Sequence, residues 1–185
     1  MSTEVKVKID LFKALVRAIA ESDNLEMVSN RLAQVLVSVL DVKGCAIFYL
    51  NPEAGELEVL ATFGLSPAYL TKGPVLADKS IAASLRGGAV IIPDVNKNSE
   101  VQYPEEARRE GISAIVSIPI KFSKEVIGVL RLYHREVWDL SEEDVDSLQL
   151  LAANIGLAMA YARLLNAVQS ISEVAKSVLP EIELS

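Results

Sequence analysis

The segment from Ser141 to the C-terminus limits the possible folds most. Ser141 reads as a helix N-cap with Asp144 as its capping-box partner, and Glu142 and Glu143 face the positive end of the helix dipole. The spacing predicts a helix that runs to Leu179, which at about 1.5 Å per residue is roughly 60 Å long, more than a small domain is wide. Two apolar stripes lie on it. Val145, Leu148, Ala152, Ile155, Met159 and Ala162 form the first; Leu157, Tyr161, Leu164, Val168, Ile171, Ala175 and Val178 form the second. Residues 155 and 157 are two helical steps of about 100° apart, so the stripes face nearly opposite ways. One face can cover a sheet. The other needs a partner helix.

The hydrophobic period sets the rest of the layout. Val5, Ile9, Phe12, Val16 and Ile19 make a heptad stripe on an opening helix, which Ser22-Asp23-Asn24 breaks. Asp23 with Glu26 reads as an N-cap and its partner, and Leu25, Val28, Leu32, Val35 and Val39 give one apolar face to a second helix ending near Leu40. From Gly44 the runs shorten. Cys45 to Leu50 and Leu57 to Phe63 read as a hairpin around the turn residues 51–55. Gly64 to Gly88 is irregular, with Pro67, Gly73 and Pro74 as punctuation and a short helix from Ser80 to Leu85. A third strand, Ala89 to Ile92, stops at Pro93-Asp94. After a polar loop, Pro104 opens a short helix that Gly111 closes. Strands four and five, Ala114 to Phe122 and Glu125 to Tyr133, are joined by Ser123-Lys124 and therefore antiparallel.

Residue counts exclude several chemistries. One cysteine and one histidine leave no intramolecular disulfide, no Cys/His zinc site and no thiol to resolve Cys45. A formal charge of −7 gives little to drive counterion release from a nucleic acid. The longest apolar stretch, Leu150 to Ala160, is shorter than the roughly 18 residues a membrane span needs and is interrupted by Asn154. The start MSTEVKVKIDLFK lacks the features of a secretory signal, so a cytoplasmic protein is expected, with no nucleic-acid or membrane partner. No nucleophile with a base, metal cluster or phosphate loop stands out, so no catalytic residue, metal or cofactor is assigned.

Two helices, an antiparallel sheet with a helical excursion, and a long exit helix together resemble a GAF domain, the small-molecule sensory module of signalling proteins. The segment Leu140 to Leu164, LSEEDVDSLQLLAANIGLAMAYARL, is similar to the family's F-S-x-E-D-x-x-x-L-x-x-h-A-x-x-h-x-x-A-h-x-x-A-x-L helix. Gly128-Val-Leu, Gly111 with Pro119, and Gly88 to Asp94 also match. The resemblance implies an α+β, profilin-like fold in which an antiparallel sheet of about six strands carries terminal helices on one face and a ligand pocket on the other. It divides the chain into an N-terminal helix (1–21), the domain (22–166), and a helical extension with tail (167–185).

The resemblance also separates family chemistries. Cyclic-nucleotide binders carry an N-K-x(n)-F-x3-D-E signature, where this chain has His134-Arg135, Leu140, Asp144 and Val145. Arg135 and Asp144 can still pair, but helix capping is the simpler role for Asp144. Bilin carriers use a cysteine on the pocket roof, whereas Cys45 lies in a strand among Ala46, Ile47 and Phe48. Haem binders use a histidine inside the pocket, whereas His134 lies where strand five ends. Reducers of free methionine sulfoxide need several cysteines.

Strand alternation proposes the pocket side. Ser113, Ile115 and Ser117 share one face of strand four, while Ala114, Val116, Ile118 and Ile120 share an apolar face suited to helices. Arg131 and Tyr133 share the more polar face of strand five. Arg131 is the candidate for facing an anion; the alternative is that it pairs with a surface acid. The family's pairing puts Tyr49 nearby, and the roof candidates are Phe63, Tyr69, Ile81, Leu85, Asp94 and Tyr103. A homodimer is expected through Val5, Ile9, Phe12 and Val16 with Leu157, Tyr161, Leu164, Val168 and Ile171, in a parallel or antiparallel bundle. The expected function is a regulatory domain that binds an unidentified small molecule and signals to an output protein or domain elsewhere. The alternatives are a dimerisation module whose pocket is filled by its own side chains, and an enzyme like the free methionine sulfoxide reductases.

Overall fold

The computed structural model describes residues 13, 16, 17, 24–51, 56–73, 84, 86–99 and 101–178. Val5, Ile9 and Phe12 of the opening stripe lie outside the described residues; Val16 is helical and exposed. The first full element is helix α1 (Leu25–Leu40), capped by Asn24, whose Oδ1 accepts from the Met27 amide at 3.0 Å. The cap is thus one residue later than the Asp23 expected from sequence. Two adjacent residues can each cap a helix, and backbone geometry selects Asn24.

Strands β1 (Gly44–Asn51) and β2 (Glu56–Phe63) form a hairpin, followed by the short helix α2 (Pro67–Leu70). Strand β3 (Val90–Ile92) leads through a 3-10 turn (Val95–Lys97) to helix α3 (Pro104–Glu110). Strands β4 (Ala114–Phe122) and β5 (Glu125–His134) meet at Ser123-Lys124, both with positive φ (49° and 73°), which matches the strand twist that a two-residue hairpin needs. Helix α4 (Glu142–Val178) closes the chain.

The fold is α+β: one antiparallel sheet in the order β2-β1-β5-β4-β3. Five strands are found among the described residues, where the resemblance implies about six. The three inner strands, β1, β5 and β4, are the most buried, because they have a neighbour on each edge and cover on both faces. Helices α1 and α4 pack on one face. Leu32 and Leu36 of α1, with Leu148, Leu151, Ile155 and Met159 of α4, meet Cys45, Ile47, Val116, Ile118, Leu130 and Leu132 of the sheet. The close approach of α4 to β4 depends on Gly156, where a Cβ would lie 2.4 Å from the Lys121 carbonyl oxygen.

Helix α4 opens with the expected capping box. The Asp144 amide donates to Ser141 Oγ at 3.1 Å, and the Ser141 amide and hydroxyl donate to the Asp144 carboxylate. Its first stripe is buried from Leu148 to Ala162, with Val145 half-buried. Its second stripe, Leu157, Tyr161, Leu164, Val168 and Ile171, is 53–69% exposed. By length and composition α4 does reach what a membrane span needs, contrary to the sequence expectation. However, 44% of that stretch is buried inside the fold, as in a core helix.

Candidate functional site

The sheet face opposite the helices carries a second core: Ala46 and Phe48 of β1, Val129 and Tyr133 of β5, Ile115 of β4 and Ile92 of β3. Tyr69 of α2, Val95 of the 3-10 turn, Val101, and Ala107 of α3 cover it. Arg131 and Ser117 lie within this layer, directly opposite each other in the β4–β5 register. Arg131 is 5% exposed and Ser117 1%, and neither Arg131 Nε nor Ser117 Oγ has a hydrogen-bond partner. Buried polar groups are nearly always paired, so two adjacent orphans are an unusual arrangement.

The cover is held by a polar clasp. Glu110, at the end of α3, accepts from Lys43 Nζ and from the Ser66 amide, both at 2.9 Å, and from the Ser66 hydroxyl. Lys43 Nζ also donates to the Gly64 carbonyl at 2.6 Å. Burial pushes the Glu110 carboxyl up, but the bonds from Ser66 and Lys43 outweigh it and hold the group below its usual range. Ser66 in turn caps α2, its Oγ accepting from the Tyr69 amide at 3.2 Å. The clasp therefore fixes the helix that brings Tyr69 and the following Lys72 to the site. Tyr69 meets Tyr133 edge-on, with ring centres 5.7 Å apart.

Lys72 Nζ donates to the Tyr69 carbonyl at 2.9 Å and lies 3.7 Å from the centre of the Tyr69 ring and 5.6 Å from that of Tyr103. The chain turns under Tyr103 at Gly73, whose φ of 135° favours glycine and where a Cβ would lie 2.5 Å from the Tyr103 hydroxyl. Burial, and then the charge of Arg131, lowers the Lys72 ammonium pKa to about 8, against the pull of Glu106 and Glu110. Burial raises the Tyr133 hydroxyl, with Arg131 opposing. Tyr69, Lys72, Val101, Gln102, Tyr103, Ile115 and Arg131 line a cavity of about 10 Å³, room for about one water molecule.

Of the sequence candidates, Tyr69, Tyr103, Ile115 and Arg131 come together at this cavity, with Tyr133 and Ser117 beside them. Arg131 is buried and has no carboxylate within ion-pair distance among the described residues, so it does not pair with a surface acid. Tyr49 lies on the opposite face, packed in the helix layer and hydrogen-bonded to Arg163. Phe63 opposes Cys45 on that same side, at the exposed end of β2. Asp94 caps the 3-10 turn, accepting from the Asn96 amide at 2.9 Å and pairing with Lys97 at 3.1 Å; both bonds hold its carboxyl low. Ile81 and Leu85 lie outside the described residues.

Sequence reasoning missed Lys72, Val101 and Gln102. The signal for the surroundings of Lys72 was Ser66-Pro67, a helix start that sets Tyr69 on α2, with Lys72 just past the helix end at Thr71. Cys45 is fully buried on the helix side, which pushes its thiol pKa up. His134 stacks on Trp138 at 4.9 Å, outside the cavity. No cluster of metal-ligating side chains is present among the described residues.

A family model described as "GAF domain" matches residues 22–160. Solved structures share the fold. The GAF domain of a phosphoenolpyruvate-protein phosphotransferase from Coxiella burnetii is 20% identical with a TM-score of 0.74, over 86% of this chain and 96% of that one. A domain of a putative two-component sensor histidine kinase from Sinorhizobium meliloti 1021 is 18% identical with a TM-score of 0.67, over 80% and 99%. Free methionine-R-sulfoxide reductase from Neisseria meningitidis, solved with its substrate, is 16% identical with a TM-score of 0.69, over 83% and 90%. Among curated proteins none matches the chain by sequence.

Proposed function

Since the chain belongs to the GAF domain family, we propose that it is a regulatory small-molecule-binding domain of a signal-transduction protein, homodimeric through its terminal helices. One observation carries this reading: Arg131 Nε and Ser117 Oγ are buried, on adjacent residues and without a hydrogen-bond partner, at a cavity that Arg131 lines together with Lys72. A buried guanidinium without a counter-charge costs the fold stability, and a ligand that supplies the partner recovers it. The exposed stripe Leu157, Tyr161, Leu164, Val168 and Ile171 supports self-association along α4. A chain whose one cysteine is a free buried thiol also suits a cytoplasmic setting.

The cavity's small volume favours a second reading, a dimerisation module with its pocket closed by its own side chains. Such a module would satisfy its own polar groups, and Arg131 Nε and Ser117 Oγ are not satisfied. A reductase like that of Neisseria finds less support, because the chain's one thiol lies on the far side of the sheet from the cavity. Mass spectrometry of the purified protein after denaturation tests the sensor reading. A stoichiometric small molecule released from wild type, and absent from an Arg131→Gln preparation, is expected. Failure of every released or added small molecule to raise the unfolding temperature would leave the dimerisation module as the function.

A further inference from the structure

Resting on the reading of this cavity as a ligand site, we infer that its ligand is a small dianion. One oxyanion group sits on the Arg131 guanidinium and the Ser117 hydroxyl, and the second negative charge reaches Lys72. The register across the sheet places Ala46, Arg131 and Ser117 side by side on β1, β5 and β4. Both cross-strand neighbours of Arg131 are small, and its guanidinium lies 5.7 Å from the centre of the Tyr133 ring on the same strand, with Nε left unpaired. Arg131 Nε–H and the Ser117 hydroxyl are the two orphan donors. A carboxylate or phosphoryl group has two or more acceptor oxygens and can take both bonds, with a charge-assisted bond to arginine. A neutral carbonyl would leave the buried charge unbalanced.

The count of charges sets the second group. No carboxylate among the described residues forms an ion pair with Arg131 or Lys72. Glu110, one of the acids whose field reaches Lys72, is already engaged by Lys43 and Ser66. Lys72 commits one N–H to the Tyr69 carbonyl, leaving two for a ligand. A monoanion would therefore leave one of two cations uncompensated in a site walled by Tyr69 and Tyr103. With room for about one water molecule, the cavity takes a ligand of this size only if its cover moves outward. Binding is thereby tied to a displacement of the cover.

Thermal unfolding of the full chain at pH 7 and fixed ionic strength tests the inference, using succinate, inorganic phosphate, acetate and uncharged succinamide as probes. The expected result is a saturable stabilisation by succinate or phosphate, with acetate at least tenfold weaker and succinamide inactive. Succinate alone identifies a dicarboxylate site, and phosphate alone a phosphoryl site; either supports the proposal. Lys72→Met is expected to bring succinate and acetate within about twofold of each other, and Arg131→Gln to weaken both tenfold or more. If Arg131→Gln does not fold, the wild-type series and Lys72→Met decide. Equal stabilisation by acetate and the dianions, or none by any anion, overturns the proposal. If a neutral molecule is recovered from the purified protein while the anions do nothing, the dianion falls and the sensor reading stands. If nothing is recovered and no anion binds, both fall.

Discussion

The guanidinium of Arg163 lies over the ring of Tyr49, 4.3 Å from its centre, and donates to its hydroxyl. Tyr49 belongs to β1, in register with Gly128 on β5, and Arg163 stands where α4 leaves the sheet. The contact therefore ties the outer part of the exit helix to a central strand. Tyr49→Phe keeps the ring and removes the acceptor. It is expected to cost under about 1 kcal/mol, since the pair is solvent-exposed, while speeding amide exchange in α4 around Arg163 more than in α1. Equal effects on both helices would show that the contact does not anchor α4.

Lys72 makes binding depend on pH. With its ammonium at about 8 rather than the ordinary 10.5, the unfolded chain holds more protons between these values. The unliganded fold is therefore expected to gain stability as pH rises from about 8 toward 10.5. Anion binding needs the charged form, so affinity is expected to fall as pH passes 8. Arg131, Glu106, Glu110 and the Tyr69 and Tyr103 rings surround the group, and none of them replaces its charge. In Lys72→Met the decline in affinity near pH 8 is expected to vanish, as measured by calorimetric titration across pH 6.5–9.5.

Glu110→Gln weakens the clasp while keeping its shape. Loss of the charge-assisted bonds from Lys43 and Ser66 is expected to cost about 1–3 kcal/mol in denaturant unfolding. Proteolysis of the 64–73 segment should become faster. Because the Glu110 carboxyl is held low, its contribution is present above the unfolded carboxyl's pKa and is lost as pH falls through the folded value. Acid sensitivity in that range should be smaller in the variant.

Cys45 is expected to react slowly with a charged thiol reagent in the native state, because burial both shields the thiol and disfavours the thiolate. Cys45→Ala should cost about 1 kcal/mol through lost packing. Rapid native labelling would place β1 elsewhere.

The exposed stripe on α4 predicts a dimer at micromolar concentration. Light scattering is expected to give twice the chain mass, and Leu164→Asp with Ile171→Asp to give a single chain with an unchanged unfolding midpoint of the domain. A monomeric wild type would reject self-association through this face.

The sheet faces were legible where polar residues marked the phase. Ser113 just before β4, Ser117 on it and Arg131 on β5 marked which side of each strand faced the cover. On β1 the run Cys45-Ala46-Ile47-Phe48 is apolar on both sides, because the strand is buried on both, so alternation carried no phase. Tyr49 was therefore placed by the family's pairing and Phe63 as part of the roof, whereas both lie on the helix side of the sheet. Lys72 was missed for a different reason. A lysine reads as a solvated residue, and what brings it over Tyr69 is a clasp whose carboxylate lies 44 residues beyond Ser66. Arg131 was legible as a polar side chain on the pocket face, but its burial depends on α2 and α3, which no local pattern encodes.

Helix α4 has 37 residues, and from about Asn166 onward the described positions are exposed beyond the sheet. The stretch past Ala162 is roughly 24 Å long. Where Gly156 brings the helix against the Lys121 carbonyl, the backbone contact acts as a fulcrum. From Gly156 to Val178 the arm is roughly 33 Å, so a tilt of about 10° there would swing the far end sideways by about 6 Å. That is more than half the roughly 8–10 Å that separates the axes of packed helices, enough to open or close a contact along this face. The long helix is a lever: a small rotation at its packed end would become a sideways displacement several times larger at its tip.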